Sequence, residues 1–165
     1  KLADLGVAPE TAMAPFVVAI DAFHERTRPS TWLEGLVKAY VGEGIGADFY
    51  REVSAFLGTE VHDLVSDVVS DDGQAEFVVR QVRAGIEADP SSAGRLALYG
   101  RRMVGEALSQ AQRVAADRDA LTDLLMSGAA AAEGAPRADL AELVRMFGRL
   151  TEAHSRRMAR LGLQA

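Results

Sequence analysis

The chain has 165 residues, 18 Lys/Arg against 24 Asp/Glu, 48% hydrophobic and 25% charged, a composition that suits one folded domain and excludes a disordered chain. It holds no cysteine, so disulfide and thiolate chemistry are excluded and any metal would rest on carboxylates and the three histidines. No apolar run approaches the roughly 20 residues that cross a bilayer and no signal-peptide pattern opens the sequence, so the expected location is cytoplasmic.

The opening "KLADLGVAPE" reads as the end of a helix: Lys1, Leu2 and Leu5 make a last turn, Gly6 sits where a glycine cap belongs, and Pro9 follows. The expectation is that further helices lie upstream of Lys1. Met13, Phe16, Val17, Ile20 and Phe23 then recur at helical spacing until "RTRPS" breaks the pattern. In "TWLE", Thr31 and Glu34 form a capping box that opens a helix running to about Phe56. Val61, Leu64, Val65, Val68 and Val69 mark the next helix, and Val78, Val79, Val82 and Ile86 the one after it, ended by "DPSSAG".

From Ser92 to Met126 no breaker stronger than glycine interrupts the chain, which predicts one long helix. "SGAAAAEGAP" supplies a low-complexity linker over 127–137, and Leu140, Val144, Phe147, Leu150, His154, Met158 and Leu161 mark a last helix. Strand signals are absent. The expected fold class is therefore all-α, a single bundle over 1–165.

"AYVGEGIGADFY" (Ala39–Tyr50) places three glycines and two carboxylates inside a helix. A phosphate-cradling glycine loop needs a strand before it and a helix opening at it, and neither is present. At about 100° per residue, Trp32, Leu36, Glu43 and Tyr50 fall together, with Tyr40 and Ala47 beside them. Glu43 is thus expected within an apolar face and Asp48 between Val37 and Val41, whereas Glu34, Lys38 and Glu52 fall on a solvent strip. A buried carboxylate needs an ion pair, hydrogen bonds or a metal, so Glu43 is either a metal ligand or the partner of an arginine. Glycines 42, 44 and 46 each weaken a helix and are explained by close approach of a neighbour or ligand. In "SDDGQAEF", Asp71 either caps the next helix through Gln74 or joins an acidic group with Asp72.

His24 and His62 read as surface or capping residues, and His154, on the apolar stripe of the last helix, as a hydrogen-bonded core histidine. Charge is uneven: residues 1–90 carry 7 Lys/Arg against 16 Asp/Glu, and residues 91–165 carry 11 against 8. Arg145, Arg149, Arg156 and Arg160 form a basic strip on the last helix. Together with Arg95, Arg101 and Arg102 they either meet nucleic-acid phosphates or form a solvated face paired through acids such as Glu152.

The segments "FVVAIDAFHERTRPSTWLEGLVKAYVGEGIGADFYREV", "GRLALYGRRMVGEALSQAQRVAADRDAL" and "MFGRLTEAHSRRMARLGL" resemble the actinobacterial ferritin-like family related to the tRNA hydroxylase that makes 2-methylthio-cis-ribozeatin. The resemblance implies a ferritin-like bundle, here without its first two helices, around a di-iron carboxylate site. One helix of that site gives a Glu, the next an E-x-x-H, the third a Glu and the fourth a second E-x-x-H. The first two ligand sets would lie upstream of Lys1. Glu43, or else Asp48, matches the third, and the fourth falls on Asp71-Asp72-Gly73-Gln74, where glutamine replaces histidine and puts the second iron in doubt.

Two functions follow from the resemblance: an oxygen-dependent di-iron hydroxylase acting on an isopentenyl-type adenosine in tRNA, or a homodimeric structural or interaction protein with an incomplete or lost metal site. The helix from Trp32 is apolar round most of its circumference, which predicts an exposed groove covered by a second copy or by a severed N-terminal segment, with the first 30 residues leaning across it.

Overall fold

The computed structural model describes Asp4, residues 6–69, 73–117 and 140–165. Among them run seven α-helices: α1 (Pro9–Met13), α2 (Val17–Arg26), α3 (Trp32–Ser54), α4 (Thr59–Val68), α5 (Gln74–Ala88), α6 (Ser92–Asp117) and α7 (Leu140–Arg160). A 3-10 turn, Ala14–Phe16, joins α1 to α2. No strand occurs among the described residues, so the all-α class holds. The remainder of the expected long helix to Met126, the 127–137 linker, Asp71 and most of the first five residues lie outside the described residues.

Helix α3 is the axis of the bundle and packs against α4, α5, α6 and α7. It opens as the sequence predicts, with the Glu34 backbone N–H donating to Thr31 Oγ1 at 3.2 Å. The return arm differs, because the Glu34 carboxylate accepts from the Ser30 N–H at 2.6 Å, one residue before the cap. Arg95 of α6 stands 3.5 Å from the same carboxylate. Glu34, expected on a solvent strip, is therefore buried beneath α6, while Trp32, expected on the core face, is 70% exposed.

The core joins Leu36, Val37, Tyr40 and Val41 of α3 to Val78 and Val82 of α5, Leu96, Tyr99 and Met103 of α6, and Met158 and Leu161 of α7. Four helices pack around α3, and a groove stays open along its face from Tyr40 to Arg51. The exposed apolar side chains include Trp32 and Tyr50 of α3, Met13, Val17, Val18 and Ile20 on the first segment, and Val61, Leu64 and Val68 on α4. Pro15 enters the 3-10 turn and divides that first segment, so its apolar stripe is not continuous, and only Ala12, Phe16, Ala19, Ala22 and Phe23 are partly covered along it.

Two features fix the ends of the core. Tyr99 donates its hydroxyl to the Thr27 carbonyl at 2.5 Å, tying α6 to the C-terminus of α2. Burial pushes this phenol up to about 12, against the lowering effect of Arg102. Helix α7 closes on Gly162, which takes φ 78. The Leu163 N–H reaches the Met158 carbonyl at 2.9 Å and the Gly162 N–H the Ala159 carbonyl at 3.0 Å, a Schellman cap whose Leu163 is buried.

Candidate functional site

A groove of about 660 Å³ opens between α3, the C-terminal end of α4, the first turns of α5 and the last turns of α7. Along α3, Tyr40, Glu43, Ala47 and Arg51 recur at helical spacing and form one wall, and Ala153, Arg156, Arg157 and Arg160 of α7 form the wall opposite. Val68, Val69 and Val78 supply an apolar side.

Asp48 is the centre of the polar network. Its Oδ1 accepts from Arg51 Nη1 at 3.4 Å, and its Oδ2 accepts from Arg157 Nη2. Arg51 continues to α4, donating from Nη2 to the Val69 carbonyl at 2.6 Å. The Asp48–Arg157 pair is largely covered, at 19% and 15% side-chain exposure. The place of Gly44 follows from this pair, since a Cβ on that residue would overlap the Arg157 side chain. The glycine lets a guanidinium lie across the α3 backbone. Gly42 has a different neighbour, Met103, 3.2 Å from where its Cβ would stand.

Glu43 lines the groove but is exposed, and it makes no ion pair with another described residue. The expected setting within a buried apolar face is thus not observed. The core boundary falls between Tyr40, which is buried, and Glu43, one turn on. Asp71 lies outside the described residues; the N-cap residue of α5 is Gly73, with φ 92. Gly73 takes the left-handed region there, and the expected Asp71 cap lies outside the described residues.

The four strip arginines have acidic partners. Arg149 makes a forked contact to Glu52 of α3 at 2.8 and 2.6 Å and also reaches Glu142 at 2.9 Å, so the expected Glu152 pairing belongs to Arg156 alone. Arg145 pairs with Glu142 at 2.7 Å. Arg160 pairs with Glu76 of α5 and lies 5.8 Å from the Tyr40 ring. Hydrogen bonds from Arg145 and then Arg149 hold the Glu142 carboxyl below the usual range, and those from Glu52 and then Glu142 raise Arg149. On α6, Arg95 faces Glu34, Arg101 donates to the Gln164 carbonyl at 3.1 Å, and Arg102 stacks 5.3 Å from the Tyr99 ring.

His24 is exposed and His62 Nδ1 lies 3.1 Å from Ser54 Oγ, linking the start of α4 to the end of α3. His154 is buried at 2% exposure, yet neither ring nitrogen has a hydrogen-bond partner among the described residues. It is a core histidine without the expected hydrogen bond. Burial, and then the nearby Arg157 charge, hold its pKa below the ordinary value.

Among the described residues no three His, Asp or Glu side chains come together to hold a metal ion. The donors among the described residues do not fit a di-iron centre: Asp48 has guanidinium partners on both oxygens, and Glu43 shares a groove with four arginines.

A long central helix packed on four neighbouring helices, with a polar groove between them, fits a ferritin-like bundle. A family model described as a ferritin-like domain of actinomycetes matches residues 1–128, and the chain belongs to that family. No curated protein matches it. The family match carries the fold and not the finer relation to tRNA hydroxylases.

Proposed function

We propose that this chain acts as a ferritin-like binding and interaction module, self-associating as a homodimer, whose groove is not an iron centre. The observation that carries the reading is the clamping of Asp48 between Arg51 and Arg157. A carboxylate paired with a guanidinium at each oxygen would have to give up those ion pairs to bind Fe(II), and the surrounding guanidiniums repel a divalent ion. The exposed apolar residues of α2 and α4, led by Val18 at 80% and Val68 at 75% exposure, support association with a second copy or with an upstream segment of the chain. A cytoplasmic location belongs to the same reading, and no described helix is long and apolar enough to cross a membrane.

Elemental analysis after anaerobic Fe(II) loading and desalting tests the reading. The expected result is no retained iron, and two irons per chain would overturn it. Light scattering behind size exclusion tests association: a dimer mass is expected, and a 17.6 kDa monomer with no co-purifying peptide would refute it.

The second reading is a di-iron hydroxylase acting on an isopentenyl-type adenosine in tRNA, with its other ligands upstream of Lys1. Its support is Glu43, which faces the groove with its carboxylate unpaired. The basic strip of Arg145, Arg149, Arg156 and Arg160 would then meet tRNA phosphates after exchanging their acidic partners. The iron measurement on a preparation extended upstream separates the two readings.

A further inference from the structure

We infer that the groove between α3, α5 and α7 binds a small amphipathic organic anion, one carboxylate or phosphate head on an apolar body. The inference deepens the binding-module reading and rests on it. Its volume of about 660 Å³ lies in the range of pockets that hold small organic molecules. Four guanidiniums, of Arg51, Arg156, Arg157 and Arg160, line it against two carboxylates, Glu43 and Asp48.

Two of those arginines, Arg51 and Arg157, are engaged by Asp48, and two are held loosely. Arg156–Glu152 and Arg160–Glu76 are exposed pairs, at 65%/71% and 48%/63% side-chain exposure, and such pairs exchange readily for a better acceptor. Arg157 is fixed by Asp48 through Nη2, yet its Nη1 is buried with no partner. A guanidinium presents its donors in a planar fork, so an Nη1 left over beside a bonded Nη2 awaits an acceptor oxygen. Tyr40, 8% exposed and also lining the groove, carries a second buried polar atom without a partner, its hydroxyl. Buried donors are normally satisfied, and two such groups at one groove point to a missing acceptor.

The other wall sets the rest of the ligand. Val68, Val69, Ala75 and Val78 are apolar and offer no side-chain donor, which suits a hydrocarbon body. Glu43, without an ion-pair partner among the described residues, repels extended polyanions and so favours a single head group over a nucleic acid. Gly44 keeps Arg157 against α3, so the head site is preorganised.

Titration calorimetry with octanoate, octyl phosphate and uncharged octanol on the whole chain tests the inference. Saturable one-to-one binding of octanoate or octyl phosphate, at least about tenfold tighter than octanol, is expected, and the tighter of the two assigns the head. Arg156→Gln and Arg160→Gln, both at exposed positions, should each weaken binding about tenfold, while Arg145→Gln, outside the groove, should leave it unchanged. Equal binding of octanol, an unchanged affinity in the Arg156→Gln/Arg160→Gln double variant, or no saturable binding of either anion would overturn it. Absence of anion binding in a chain that also retains no iron refutes this inference alone, whereas retained iron refutes the module reading as well.

Discussion

Asp48 of α3 and Arg157 of α7, 109 residues apart in sequence, close the bundle through one largely covered ion pair that lies across Gly44. Removing one member strands the other. Asp48→Ala is expected to lower unfolding free energy by about 3 kcal/mol, and adding Arg157→Leu should restore much of it, with a coupling of about 1 to 3 kcal/mol in a double-mutant cycle. Urea denaturation of the four proteins measures this, and strictly additive losses would contradict the pair.

Glu43→Gln should leave stability within about 0.5 kcal/mol of the parent, because the side chain is exposed and has no described ion-pair partner. A structural ion-pair member would instead lose about 3 to 5 kcal/mol. Thermal and urea melts decide between the two.

Two glycines of α6 should respond oppositely to alanine. At Gly100 the added Cβ would stand 2.5 Å from Met158 Sδ, between two buried residues, and a loss of about 1 to 3 kcal/mol is expected. At Gly105 nothing lies within 4 Å, and Gly105→Ala should gain up to about 1 kcal/mol from helix propensity. Equal shifts in Tm would refute the packing at Gly100.

His154 makes stability depend on pH. Its folded pKa is depressed below the ordinary 6.5, so above that pH both states are neutral there and the residue contributes no slope. As pH falls through 6.5 the unfolded chain takes up the proton and the folded chain does not. Stability therefore declines with acidification until the folded pKa is reached, by at most about 1.4 kcal/mol per pH unit. His154→Leu should flatten this part of the profile in urea melts between pH 7.5 and 5, and an unchanged slope would show that other groups produce it.

Glu34→Ala removes the acceptor of the Ser30 N–H and the partner of Arg95 together. A loss of about 1 to 2 kcal/mol is expected, with faster amide exchange at Ser30. Glu34→Gln, which keeps an acceptor oxygen, should lose less, and equal losses would argue against the hydrogen bond.

The sequence by itself determined the helices, because their signals are local. The Thr31 cap, the breaker at "RTRPS" and the apolar spacing of α5 and α7 each involve residues within a turn or two of one another, and the structure forms the helices they mark, with the return arm of the cap moved to Ser30. It also located the glycine-rich segment of α3 as helical and as a place of close approach. Which neighbour approaches was not legible, since Arg157 reaches Gly44 only after α7 has docked. Tertiary structure likewise decided the fate of each acid. A helical wheel fixes the angle of Glu34, Glu43 and Asp48 about α3, but which angles are covered depends on where α5, α6 and α7 lie. Burial of Glu34, exposure of Glu43 and the double clamp on Asp48 are therefore properties of the packing, and the chemistry of the groove follows from them.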